Sequence, residues 1–388
     1  VSTPGPQVSA WAPQVFTPYP DTPELLLARV AARSPVFGGT SAAGGEPVLV
    51  GSAAGHDRGL VATGARGELL ERMGNVLAGR EAEASRGTVA SYDELVRRGV
   101  PVRRPSVRPR ARRLWIRAHT AGGEERYVPA AAVFLHHRPP AGCAAEPSAG
   151  STGIAAHPHR LAAARHAAWE VLERDLVRRS WYGLAGDRPR RVEDGVGGPV
   201  ACMVRARGLA TTAFVLPAPG GTACAVVCLH RPDGSGQAFG ARCGPSDTLG
   251  ALIEKAAYEA VMVRWSMDSP VARRTWDRWR GEGPPIGAVQ HALWTYHRQD
   301  SLALWNVRCD PAPRRHGPAG EGAAAGAAER ARTDPLSVLA EHTGQQVLWV
   351  ETSGKPARDA GVRVVRVLAP GALPLPSGPG PGHPHPFG

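Results

Sequence analysis

Two pairs of glutamates have the type and spacing to do chemistry together. Glu68 and Glu71 lie in Gly67-Glu68-Leu69-Leu70-Glu71-Arg72, and Glu170 and Glu173 in Trp169-Glu170-Val171-Leu172-Glu173-Arg174-Asp175. A related third segment, Tyr258-Glu259-Ala260-Val261-Met262-Val263-Arg264, carries Glu259. On a helix, residues three apart project from one face, so each pair presents two carboxylates side by side. Leu69, Leu70, Val171 and Leu172 flank them with apolar surface. Carboxylates held together repel and raise each other's pKa unless a cation neutralises them. Magnesium suits that task, because it takes hard oxygen ligands, typically a few carboxylates completed by nucleotide phosphates. The competing reading is a solvated helix face, on which Glu170 and Arg174 form an i,i+4 pair worth ~0.5 kcal/mol. One such segment alone favours the solvated face; two pairs and a third glutamate helix in one chain shift the balance toward a site, and periodicity by itself does not decide between the two.

Other chemistries find little support. The six cysteines, Cys143, Cys202, Cys224, Cys228, Cys243 and Cys309, are scattered through 388 residues with no secretory signal, which argues against a disulfide framework. No CxxC pair occurs, and although His230 lies near Cys228, no second Cys/His pair follows at zinc spacing. Cys224 and Cys228 fall in an apolar run that reads as a buried strand with both thiols on one face. There is no G-x-S-x-G nucleophile elbow. His56 and Asp57 are adjacent, a spacing that rarely lets two side chains meet productively. His383 and His385 fall in a terminal segment read as flexible and solvated.

Bulk properties narrow the class further. Hydrophobic residues make up 43% and charged residues 21%, as in a folded protein with a sizeable core. No apolar run is long enough to span a membrane, and the N-terminal residues lack a signal-peptide pattern, so no membrane partner and a cytoplasmic location are expected. The net charge of +12 comes almost wholly from arginine, since Lys255 and Lys355 are the only lysines. The densest basic run, Arg97 to Arg113, holds eight arginines and no aromatic residue, so it reads as a solvated loop rather than a nucleic-acid surface.

The elements that must position the glutamates follow from periodicity. Amphipathic helices are expected over 60–80, 161–182 and 248–268, and each carries one glutamate segment. A strand is expected at 45–53, a hairpin at 114–134 around Ala121-Gly122-Gly123, several strands within 199–245, and a strand at 362–368. Interspersed strands and helices without regular βαβ spacing predict an α+β fold with mixed sheets. Residues 1–40 read as an N-terminal arm with at most a short helix, 41–370 as the catalytic domain with a low-complexity insertion at 312–332, and 371–388 as a Pro-rich tail.

The central stretch resembles the signature of YcaO-domain proteins. Ser151-Thr152-Gly153-Ile154-Ala155-Ala156, then Glu170-Val171-Leu172-Glu173-Arg174-Asp175, then Trp181, is similar to that family's glycine turn, E-x-x-E-R-D helix and following tryptophan. Gly51 to Arg72, Trp115 to Val128, Ala251 to Arg264, Val362 to Pro370 and the terminal His383-Pro384-His385-Pro386-Phe387-Gly388 resemble further family segments in the family's order. The resemblance implies that Glu68, Glu71, Glu170, Glu173 and Glu259 hold magnesium ions bridging ATP phosphates. It places Ser151, Thr152, Arg174, Gly55 and Lys255 around the nucleotide, and Pro384 and Pro386 of the tail near the reacting groups. Departures occur at Ala54, where the family often has lysine; at Gly64, where serine is common; at Thr152 and His157, in place of asparagine and glycine; and at Lys255, in place of a neutral polar residue. They bear on the phosphate and nucleoside contacts.

The implied activity is ATP-dependent activation of backbone amides in a precursor peptide, giving thiazolines or oxazolines. Phosphorylation turns a poor amide-oxygen leaving group into a good one, and magnesium and arginine stabilise the developing charge. Thioamide or amidine formation, or a non-catalytic scaffold that binds peptide, are the alternatives. About fifty residues precede the first motif, too few for a leader-binding domain, so a separate leader-peptide-binding partner protein is expected. Whether the chain forms a homodimer is left open.

Overall fold

The computed structural model describes residues 11–38, 46–103, 109–193, 195–285, 287–298, 300–309, 334–375 and 385–387. The expected insertion at 312–332 and Pro384 lie outside these residues. The fold is α+β, built on three sheets. The first runs β1 (Gln14–Phe16), β2 (Leu26–Arg33), β3 (Val48–Gly55). The second is ordered β4 (Thr88–Ala90), β5 (Arg113–Thr120), β12 (Leu348–Glu351), β13 (Arg363–Leu368), β7 (Ile154–His157), with β6 (Glu125–Pro129) paired to β5. The third runs β11 (Ala238–Pro245), β10 (Thr222–His230), β9 (Ala210–Leu216), β8 (Arg190–Val192). All ladders between these strands are antiparallel; among the described residues, parallel pairing is confined to the Val102–Tyr127 bridge.

Three long helices carry the glutamates: α1 (Arg58–Ser85), α4 (Arg160–Trp181) and α6 (Leu249–Met267). Shorter helices are α2 (Tyr92–Arg97), α3 (Ala130–Val133), α5 (Gly198–Ala206), α7 (Pro270–Trp279), α8 (Ala288–His297), α9 (Asp300–Arg308), α10 (Pro335–Thr343) and α11 (Lys355–Asp359). No helix among the described residues is long and apolar enough to cross a membrane.

The three long helices and three sheets form a ring. Helix α1 packs on β3 and β7, α4 on β7 and β11, and α6 on β11 and β3. Each of those strands is the last in its sheet, so three free strand edges converge between three helices. Two glycines make the contact close enough. A Cβ on Gly51 would lie 2.0 Å from the Ala65 carbonyl oxygen, and one on Gly240 would lie 2.1 Å from that of Ala256. Glu68 and Glu259 each follow that alanine by three residues, so α1 on β3 and α6 on β11 repeat one device.

The main core fills the space between α4 and the third sheet. Leu172, Val177 and Trp181 of α4 pack there with Phe214, Phe239, Trp305, Cys224 and Cys228. Strand β10 is buried along its whole length, and both thiols do fall in one cluster.

Three expectations need correction. The stretch read as an N-terminal arm supplies β1 and β2, and β2 pairs with β3 over eight residues. Its alanines and two arginines conceal an alternation in which Ala28, Val30 and Ala32 are buried and Arg29 and Arg33 exposed. The start of 199–245 is the helix α5 rather than a strand, because Pro199 occupies its first turn and Val200 and Met203 recur at helical spacing. His385 is wholly buried rather than solvated, as are its neighbours Pro386 and Phe387.

Candidate active site

The five glutamates converge on the strand edges. Glu68 accepts the Ser52 N–H of β3 at 2.5 Å, and Glu71 accepts the Ala156 N–H of β7 at 3.0 Å. Glu170 accepts the Gly153 N–H just before β7 at 2.9 Å, and Glu173 accepts the Cys243 N–H of β11 at 3.2 Å. Glu259 accepts the Ala241 N–H of β11 at 3.0 Å. Ala241 and Cys243 are two apart, as alternate outward N–H groups of an antiparallel edge must be. The i,i+3 spacing therefore has a different use from the one expected. Each pair reaches two different sheets from a helix lying between them, rather than placing two carboxylates on one point.

The electrostatics follow from this crowding. Burial pushes the Glu71 carboxyl up to about 8; the Ala156 N–H opposes this, and the charges of Glu170 and Glu68 add to it. Burial also raises Glu170 and Glu173, with Arg174 acting against it in both cases and Glu259 adding to it at Glu173. Arg174 stands between two carboxylates, with Nε 3.4 Å from Glu173 Oε1 and Nη2 3.4 Å from Glu259 Oε1. Burial works against its charge, but Glu173, Glu259 and Glu170 outweigh it and hold the guanidinium above its ordinary pKa.

Two arginines that the sequence reading did not single out join the site. Arg242 lies on β11 between Ala241 and Cys243; it is exposed, and the carboxylates Glu173 and Glu259 raise its pKa. Arg366 of β13 is buried beside Glu170, and burial lowers it to about 10. Its Nη1 donates to the Gly150 carbonyl at 2.6 Å, while its Nε hydrogen-bonds to nothing among the described residues. The signal for Arg366 was a charge inside an otherwise apolar strand, Val364-Val365-Arg366-Val367.

Asp175, the last residue of the signature, faces away from the carboxylates. It accepts His342 Nε2 at 2.6 Å, Arg179 Nε at 2.7 Å and the Leu373 N–H at 2.7 Å. Arg179 and Arg178 bind the carbonyls of Gly371 and Pro374. The C-terminal segment is thus fastened to the back of α4. Its end returns to the site, where the Phe387 ring lies 5.8 Å from the Arg174 guanidinium carbon. His385 donates its N–H to His291 Nδ1 at 3.0 Å, and its Nδ1 accepts the Phe387 N–H at 3.2 Å.

The other expected site residues are placed as follows. Ser151 and Thr152 form the turn that delivers the Gly153 N–H, with Gly153 at φ +81°. Gly55 ends β3 in a buried position, where a Cβ would lie 2.9 Å from Val61. Lys255 is exposed on α6, one turn before Glu259, and its charge reaches His166. Pro386 is buried beside Phe387. His56 and Asp57 do not meet each other: Asp57 caps α1 through Leu60 N, and His56 turns to Tyr258.

Among the described residues, no three acidic, histidine or cysteine side chains are placed to ligate one ion together. Magnesium does not require that, since it is commonly held by one or two carboxylates with phosphate oxygens completing the octahedron. The hard oxygen donors, the mutual repulsion around Glu71 and the Arg366 Nε, which no described residue engages, fit a magnesium–phosphate group.

A sequence profile described as YcaO cyclodehydratase, ATP- and Mg2+-binding, matches residues 62–373. A YcaO protein of Methanopyrus kandleri, solved with AMPPCP and Mg2+, superimposes with a TM-score of 0.60 at 20% identity, over 96% of this chain and 90% of that one. A heterocyclase solved with substrate and cofactor gives 0.59 at 16% identity, over 94% of this chain but only 50% of its own. The microcin synthetase McbBCD complex of E. coli, with pro-MccB17 bound, gives 0.51 at 14% identity, over 88% and 87% of the two chains. No curated protein sequence matches the chain. The profile covers most of the chain and all five edge-binding glutamates, so this protein belongs to the YcaO family.

Proposed function

We propose that this YcaO-family enzyme is an ATP- and magnesium-dependent peptide cyclodehydratase that forms thiazolines or oxazolines in a precursor peptide. One observation carries the reading: the glutamate ring is tied through Arg174 to a C-terminal segment whose end is buried against it. Magnesium-bound ATP would supply the phosphoryl group that makes the amide oxygen a leaving group. Glu68, Glu71, Glu170, Glu173 and Glu259 would hold the metal–phosphate group through the oxygens not engaged on backbone N–H groups. Arg366 would offer its unengaged Nε–H, and Arg174 its positive charge, to phosphate oxygens. Pro386 would act by holding Phe387 under Arg174 rather than by touching the peptide. A separate leader-binding protein would present the precursor.

The test incubates the chain with ATP, magnesium, a Cys/Ser/Thr-rich precursor and its leader-binding partner, and reads product mass. Loss of one water per ring supports the proposal. Exchange of oxygen for sulfur would assign thioamide formation instead. Failure to bind ATP with magnesium in calorimetry would leave a peptide-binding scaffold.

A further inference from the structure

The ring of helices and strand edges has six contacts, and glutamates bridge five of them to backbone N–H groups. At the sixth, between α6 and the end of β3, a side-chain chain takes that place. Tyr258 donates its hydroxyl to Glu254 Oε1 at 3.1 Å, and the His56 Nδ1 lies 2.7 Å from the same hydroxyl. With Glu254 ionised and the Tyr258 hydroxyl donating to it, the direction of this chain follows by proton counting. Glu254 as a carboxylate only accepts, so the Tyr258 proton is committed to it. The phenolic oxygen then has only lone pairs to offer, so His56 must donate from Nδ1. A neutral imidazole with its proton on Nδ1 keeps a free lone pair on Nε2.

That nitrogen is accessible, since the His56 side chain is 58% exposed and Glu254 43% exposed. Tyr258, by contrast, is buried. The groups facing His56 from α6 are Tyr258 and Glu254. On its own turn it is followed by Asp57, engaged on the Leu60 N–H, and by Arg58. The strand ties this relay to the carboxylates: His56 follows Ser52 by four residues, about 13 Å of extended chain. It therefore stands just past the end of β3, beyond the residue of that strand that Glu68 binds.

We propose that His56 is the general base that deprotonates the attacking nucleophile, with Tyr258 and Glu254 as the residues that position it. In this step His56 Nε2 takes the proton of a substrate thiol or hydroxyl. The sulfur or oxygen lone pair forms the bond to the amide carbon, and the C=O π pair moves onto oxygen. The resulting oxyanion is the group that phosphorylation then takes up. The imidazolium, donating at both nitrogens, is stabilised through Tyr258 by Glu254. This inference rests on the peptide-cyclisation reading above.

The experiment compares wild type, His56→Asn, Tyr258→Phe and Glu254→Gln, with partner and precursor, across pH 5.5–9. ATP affinity is measured in parallel with magnesium present. His56→Asn should lower kcat about 100-fold, the lower end of what a general base contributes, with ATP affinity unchanged. The acid limb of kcat/KM should vanish in that variant and persist, displaced, in Tyr258→Phe. A second readout is independent of turnover: long-range 15N–1H spectra should show the Nδ1–H tautomer of His56 in the wild type and its loss in Tyr258→Phe. A wild-type Nε2–H tautomer, an unchanged acid limb in His56→Asn, or a loss confined to ATP affinity each overturns the assignment. A wild type with ATP affinity but no azoline product overturns the cyclisation reading and the base with it.

Discussion

Substituting Glu71→Gln should stabilise the metal-free protein at alkaline pH while removing its response to magnesium. Glutamine keeps an acceptor for the Ala156 N–H, so the bond to β7 survives and only the charge is lost. In the folded protein the Glu71 carboxyl holds its proton up to about 8, against 4.5 when unfolded. The folded state therefore binds more protons between those values, and stability falls as pH rises from 4.5 to 8. At about 1.4 kcal/mol per pH unit, that difference sets a ceiling of ~5 kcal/mol for the cost of ionising the buried group. Water reaching the partly exposed Glu71 and local relaxation reduce it, so an effect of about 2 kcal/mol is expected. For a chain of 388 residues that is a shift of about 2–3 °C in Tm. The assay is thermal unfolding in EDTA at pH 5 and pH 8.5, for wild type and variant. Wild type should lose more stability than Glu71→Gln between the two pH values. Glu170 and Glu173 are raised as well and remain in both proteins, so the difference reports Glu71 together with its repulsion with Glu170 and Glu68. Magnesium with a non-hydrolysable ATP analogue should restore wild type at pH 8.5 and leave the variant unmoved. Equal pH dependence of the two proteins in EDTA would refute the reasoning.

Three further outcomes are expected. Gly51→Ala should destabilise the protein by more than about 2 kcal/mol in urea unfolding, because the new Cβ meets α1 backbone rather than a movable side chain; unchanged stability would show that the strand–helix distance is slack. Phe387→Ala should cost about 3 kcal/mol as a buried aromatic truncation and also weaken ATP binding in calorimetry by freeing Arg174; intact ATP affinity would uncouple the C-terminal segment from the site. Asp175→Asn should reduce stability most above pH 4, since the His342 and Arg179 bonds outweigh burial and hold the carboxylate below its ordinary 3.8. The wild-type advantage over this variant, followed by circular dichroism, should disappear as pH falls below that value.

The sequence carried the three glutamate helices because their signals are local. Periodicity placed α1, α4 and α6 within a few residues, and the spacing of Glu68 with Glu71 and Glu170 with Glu173 was visible directly. It could not reveal that each pair spans two sheets, since Ser52, Ala156 and Cys243 come from distant parts of the chain and take part through backbone N–H groups, which have no sequence signature. Arg242 and the His56–Tyr258 contact were hidden for the same reason, the latter joining residues 202 apart. Strand β2 was missed because alanine separates a buried face from an exposed one only weakly. The burial of His385 ran against composition, because a Pro/Gly/His terminus normally stays solvated, whereas here His385 donates to His291 and packs against Trp181 and Tyr182.

The convergence of three strand edges has a consequence for how such a protein loses activity. An uncovered edge is a template on which a stray strand can add, and proteins guard against it. Here the edges of β3, β7 and β11 are guarded by the same carboxylates that would hold the metal. Inactivating these glutamates with alanine would uncap backbone donors and invite self-association, so lost turnover in such variants would confound chemistry with stickiness. Glutamine separates the two, because it keeps the acceptor and gives up the charge. A descendant that abandoned ATP would still be pressed to retain these side chains for solubility. Their presence alone therefore does not certify a living active site.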